Sequence, residues 1–162
     1  LVHRLDRPVG GVMVFAKTSK AASRLSRQVH DRKISKVYYA VLCGKLQGSG
    51  RLENYLIKNE KTNTSYVSNN GKLAVLNYEV QEIKNDMSLV KINLETGRHH
   101  QIRVQFASRG HYLCGDQRYG VQDKTQIALF AYYLSFTHPV SKEKMEFTLK
   151  PNKIGYWTMF TL

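Results

Sequence analysis

At 162 residues, 42% of them hydrophobic, the chain fits one domain and can bury a sizeable core. It carries 25 Lys and Arg against 12 Asp and Glu, a net charge of +13, and no stretch approaches the ~20 apolar residues of a membrane span. The two cysteines, Cys43 and Cys114, match neither a disulfide framework nor a zinc pattern and are expected as reduced, buried thiols.

The basic excess is uneven. Between Leu1 and Lys36 stand nine Lys or Arg and two Asp, an excess of +7 that argues for a polyanionic partner. The same stretch opens with L-V-H-R-L-D-R-P-V-G-G, in which Asp6 is bracketed by Arg4 and Arg7 and followed by turn residues. Nearby cations favour an ionised acid, as a nucleophile or general base requires. An Asp before a Pro-Gly turn equally serves as a turn residue bonded to backbone N–H groups. The apolar run Val12 to Ala16 then reads as a buried strand. Because the first residue is Leu and a motif begins at His3, the sequence is expected to be an N-terminally truncated domain whose upstream segment is missing.

Further along, Thr18 is placed to cap a helix ending near Lys33, with Ala22, Leu25 and Val29 on one face. Lys36 to Gly44 reads as a strand in which Tyr38 and Tyr39 point to opposite faces. Arg51 to Lys58 is a short strand, and Asn59 to Asn70 a polar segment ending in a turn. Leu73 to Ile83 and Leu89 to Leu94 alternate and form a hairpin through Asn85 and Asp86. Thr96 is expected to cap a helix running to about Arg109, with Ile102 and Phe106 inward, Arg103 central and Gly110 as its stop. His99 and His100 diverge on a helix, so they form no metal pair, and no metal is expected. Strands from Ile127 and over Met145 to Leu149 follow, and Pro151 ends the regular structure. The order predicts an α+β fold, a mixed, largely antiparallel sheet with a few packed helices.

Three blocks together resemble one family. H-R-L-D-R-P-x-G-G-x-x-x-F-A-K-T is similar to the catalytic motif of the RluA-type pseudouridine synthases, with Val9-Gly10-Gly11 where Thr-Ser-Gly is more usual. K-V-Y-Y-A matches the family's K-x-Y-x-A. E-T-G-R-H-H-Q-I-R-V resembles its second signature, departing at His99, where Thr is common; just beyond it, Gln105 stands where His is common. L-C-G-D-Q-R-Y-G resembles the G-D-x-x-Y-G that follows.

The resemblance implies the pseudouridine synthase fold over residues 1–162 as a single catalytic domain. It implies isomerisation of uridine to pseudouridine in structured rRNA or tRNA, by a monomer in the cytoplasm with no cofactor. Asp6 is then the catalytic acid, Arg103 its bidentate partner, and Tyr38 the residue that stacks on the uracil and assists proton removal at C5. His3, Arg4, Arg7, Arg98, His100 and Gln101 are the expected RNA contacts, and Asp116 is expected to tie down a loop. The alternative is an RNA-binding module without catalysis. A kinase-like use of H-R-x-D is set aside, because a glycine-rich phosphate loop and an Asp-Phe-Gly are absent.

Overall fold

The computed structural model describes residues 2–162; Leu1, at the head of the opening motif, lies outside them. Eight strands form one sheet: β1 (Gly10–Gly11), β2 (Ser35–Cys43), β3 (Ser49–Asn59), β4 (Thr64–Val67), β5 (Lys72–Lys84), β6 (Met87–Leu94), β7 (Leu129–Thr137) and β8 (Lys144–Thr148). Their order is β1-β7-β2-β6-β5-β3-β4, with β8 also on β7. Every pairing is antiparallel except β1 with β7. Two helices, α1 (Ser19–His30) and α2 (Gln101–Ala107), pack on it, and a 3₁₀ turn spans Gly155–Met159. The α+β expectation holds. No helix among the described residues is long and apolar enough to cross a membrane.

Alternation along β2 distributes its side chains between two cores. Tyr38, Ala40 and Leu42 join Leu76, Ile92, Ile102 and Phe106 under α2. Val41, half-buried Tyr39 and Cys43 meet Trp157 and Phe160 on the other face. The amphipathic face of α1 buries Leu25 against Ile34, Leu134 and Phe136. The Thr18 side chain accepts the Ala21 N–H, capping α1 as expected. Asn85 and Asp86 both adopt positive φ, 49° and 57°, which suits the two-residue turn between β5 and β6.

Several boundaries differ from expectation. Val12 to Ala16 is no strand: the Val12 N–H donates to the Ala131 carbonyl and the Val14 N–H to His3 Nε2, leaving no ladder, and Phe15 is exposed. The polar segment after Asn59 contains β4, because the Asn59 side chain accepts the Lys61 and Thr62 N–H groups and turns the chain back on β3. The helix begins at Gln101, five residues beyond Thr96, since Thr96 bonds Val75 and Gln101 instead and His100 takes a left-handed backbone. α1 stops at His30, and the 3₁₀ turn beyond Pro151 supplies Trp157 to the second core. Cys43 and Cys114, expected as free thiols, are joined as a disulfide: the chain from Leu113 lies alongside the end of β2 and brings the two Cα atoms to 5.4 Å.

Candidate active site

Asp6 sits on a turn closed by the Val9 N–H to its own carbonyl at 2.9 Å. The glycines after it serve a close approach. Gly10 and Gly11 pair with Phe130 and Ala131 of β7, and a Cβ at Gly11, where φ is +130°, would collide with the Ala131 backbone. The Pro8 carbonyl accepts from the Gln126 side chain. These contacts pin the half-exposed Asp6 carboxylate to the sheet.

Arg103 reaches it from α2. Its guanidinium is buried, and its Nη1 lies 3.4 Å from Asp6 Oδ2. The bidentate fork, expected on Asp6, is on Asp116 instead: Nε donates to Oδ2 at 2.8 Å and Nη2 to Oδ1 at 2.7 Å. Asp116 occupies the Nε/Nη2 edge of the planar guanidinium, and Asp6 meets the one nitrogen left over, Nη1. Asp116 Oδ1 also accepts the N–H groups of Arg118 and Tyr119, so this residue ties down its loop and anchors Arg103 at once. Burial alone would raise the Asp116 carboxyl; the Arg103 hydrogen bonds and charge, with those two N–H groups, hold it below its ordinary value. The Tyr119 ring lies 5.1 Å from the guanidinium carbon, adding a cation–π contact.

Two clefts meet at Asp6, His100 and Arg103. The first, about 740 Å³, has Tyr38, Ile102 and Leu129 among its walls and extends past Lys36 and Gly97. Tyr38 is 8% exposed, and what it does expose lines the same cleft as Asp6. Burial, and then the negative charge of Asp6, push its phenol well above the usual range. Lys36, two residues along the same face of β2, makes no ion pair or hydrogen bond among the described residues, and burial lowers its ammonium.

The second cleft, about 1290 Å³, is lined by Arg4, Arg7, Lys58, His99 and Arg118. Arg4 and Arg7 are exposed and make no ion pair among the described residues. The other expected RNA contacts are more committed. His3 accepts the Val14 N–H, with its imidazole lowered by burial and by Lys36. Arg98 Nε donates to the Leu73 carbonyl, and Gln101 is buried, its amide bonding Thr96, Arg98 and Val75. His100 is buried beside Asp6, with Nε2 at 3.9 Å from Oδ2. Asp6, Tyr38 and Arg103 thus converge. Lys36, Asp116 and Tyr119 join them without having been singled out for the site; the K-x-Y and G-D-x-x-Y-G matches were the available signals. Among the described residues no group of three or more His, Cys, Asp or Glu is placed to hold a metal ion.

Comparison with known proteins points one way. Residues 1–108 match a family model described as RNA pseudouridylate synthase. The chain is 36% identical over 163 residues to the ribosomal large subunit pseudouridine synthase D of Pasteurella multocida, an alignment covering 90% of this chain and 50% of that one. It is 34% identical to an uncharacterized RNA pseudouridine synthase of Aquifex aeolicus, covering 93% and 52%. The chain therefore spans about half the length of the curated relatives it matches. Among solved structures, human RNA pseudouridylate synthase domain containing 1 superposes with a TM-score of 0.84 at 25% identity, over 96% of this chain and 70% of that one.

Proposed function

The chain belongs to the RNA pseudouridylate synthase family, and from that premise we propose that it isomerises uridine to pseudouridine in RNA, with large-subunit rRNA as its substrate. The observation that carries the reading is the convergence of Asp6, Arg103 and Tyr38 where two clefts meet, one of them lined by Arg4, Arg7, Lys58 and Arg118. Residues 1–162 then act as one catalytic domain.

The reaction breaks the bond from uracil N1 to ribose C1′ and forms one from C5 to C1′. C5 loses its proton to solvent and N1 gains one, so the change is redox-neutral. A target base inside a helix must first leave its stack. Its uracil lies on the Tyr38 ring, which enters as a neutral phenol, because burial and Asp6 disfavour the phenolate. The Asp6 carboxylate acts on the ribose, at C1′ or at the adjacent proton. Arg103, immobilised by Asp116, aims that carboxylate and balances its charge. Exposed Arg4 stands at the mouth, where it fills the vacated stack or grips a phosphate.

The direct test uses large-subunit rRNA tritiated at uridine C5, from which turnover releases tritium to water. Stoichiometric release is expected. RNA binding without release from this rRNA or from total cellular RNA would overturn the enzymatic reading and leave an RNA-binding module. Affinity for the same RNA should fall with salt at a log–log slope of about −3, as expected when four cations displace counterions. A slope near zero in a titration from 50 to 300 mM salt would assign the basic cleft to solubility instead.

A further inference from the structure

His100 has a backbone that few histidines adopt: φ 53°, ψ 24°, left-handed, immediately before α2. Such strain persists only where surrounding contacts over-determine it. The contacts are specific. The ring stacks on His99 at 3.7 Å and meets Tyr119 edge-on at 5.5 Å. Its Nδ1 lies 2.7 Å from the Tyr119 hydroxyl oxygen, which also lies 2.7 Å from the Ser65 amide nitrogen.

The proton positions follow. A backbone N–H can only donate, so the Tyr119 oxygen accepts from Ser65. Among the described residues the phenol's own proton has one acceptor in reach, His100 Nδ1. A neutral imidazole that accepts at Nδ1 carries its hydrogen on Nε2. That nitrogen faces Asp6 Oδ2 at 3.9 Å, the same oxygen that Arg103 faces at 3.4 Å. Asp6 Oδ1 has no hydrogen-bond partner among the described residues. Catalytic contacts are often long before substrate binds and shorten in the complex.

We propose that His100 is a positioning residue: the Ser65–Tyr119 relay fixes it as the Nε2–H tautomer and turns that N–H toward Asp6 Oδ2, leaving Oδ1 as the oxygen that reacts with the ribose. The proposal rests on the reading of Asp6 as the reacting acid. Burial, reinforced by Arg103, pushes the imidazole down to about 3, so the group is a neutral donor across the working range. Arg103 supplies the charge, and His100 supplies direction.

The test pairs two substitutions whose structural and positioning consequences run in opposite orders. His100→Asn suits the left-handed backbone better than His does, but its amide ends near the Nδ1 position and cannot reach Asp6. His100→Gln places an amide N–H near the Nε2 position on a less tolerant backbone. Positioning predicts that Asn loses about 10–100-fold in single-turnover rate at saturating rRNA, the range for one hydrogen bond to a charged group. Gln should recover most of that loss while melting at the lower temperature, with rRNA affinity equal in both. Rates that follow thermal stability, with Asn the faster, would overturn the proposal. A second measurement needs no turnover. In ¹⁵N-histidine NMR of the unsubstituted chain at pH 7, His100 should show a bare Nδ1 and a protonated Nε2, and Asp6→Asn should move the Nε2 resonance. A protonated Nδ1, or no response to Asp6→Asn, would overturn it. Absence of tritium release from rRNA would instead overturn the functional reading while the NMR result stood.

Discussion

Asp6→Asn should abolish pseudouridine formation, on the order of 10⁴-fold or more, as expected for removal of a reacting group, while rRNA affinity stays within a few-fold. The substitution keeps the shape of the side chain and removes its charge and one oxygen. Asp6 contributes little to the architecture: Arg103 keeps its fork on Asp116, and the turn is closed by the Asp6 backbone carbonyl. The melting temperature should therefore change little, which separates loss of chemistry from loss of fold. Single-turnover tritium release from a preformed complex with rRNA measures the effect. Normal release by the Asn variant would remove Asp6 from the reaction and, with it, the role assigned to Arg103.

Asp116→Asn should show the complementary pattern, a large loss of stability. The Asp116 side chain is wholly buried and the Arg103 side chain is 6% exposed, so neither charge has water to fall back on. Breaking a buried pair from one side costs about 3–5 kcal/mol, because the surviving charge is left without compensation. Here Asp6 offers the stranded guanidinium only one contact at 3.4 Å. The Asp116 carboxyl titrates below its ordinary 3.8 in the folded chain. Its contribution is thus complete above that value and lost as pH falls through the folded pKa, so the gap between parent and variant should narrow in acid. Denaturant unfolding at pH 7 and near pH 3 checks both points. A difference below about 1 kcal/mol at pH 7, where buried pairs are worth several times that, or one that does not change with pH, would reduce Asp116 to a loop residue.

The groups of the candidate site were legible in the sequence for reasons that differ. Tyr38 and Tyr39 part to opposite cores because strand side chains alternate, a local rule that needs no tertiary information. Ile102 and Phe106 point inward by the same kind of local periodicity. Asp6 and Arg103 stood out through motifs, and the structure brings them together across 97 positions. The fork between Arg103 and Asp116 was hidden, because a guanidinium with two acids in reach gives no local sign of which edge each acid occupies. The start of α2 was also hidden: Thr96 looks like a cap, but burial under β5 commits its hydroxyl to Val75 and Gln101. Likewise, nothing near Cys43 announces Cys114, which arrives through a loop passing the end of β2.

The docking of Gly10 and Gly11 on Phe130 and Ala131 also sets the order in which the molecule can be finished during synthesis. Strands β2, β3, β5 and β6 are all made by Leu94 and can pair with one another as they emerge. The turn that holds Asp6 lacks its strand partner until Leu129–Thr137 has been translated. At about 5–20 residues per second this is on the order of ten seconds after β2 is complete. Throughout that interval the nascent chain carries the cations between Arg4 and Lys36 with the acid still unpinned. It can meet RNA as a polycation before Asp6 is set beside Arg103, and the seventh strand marks the change.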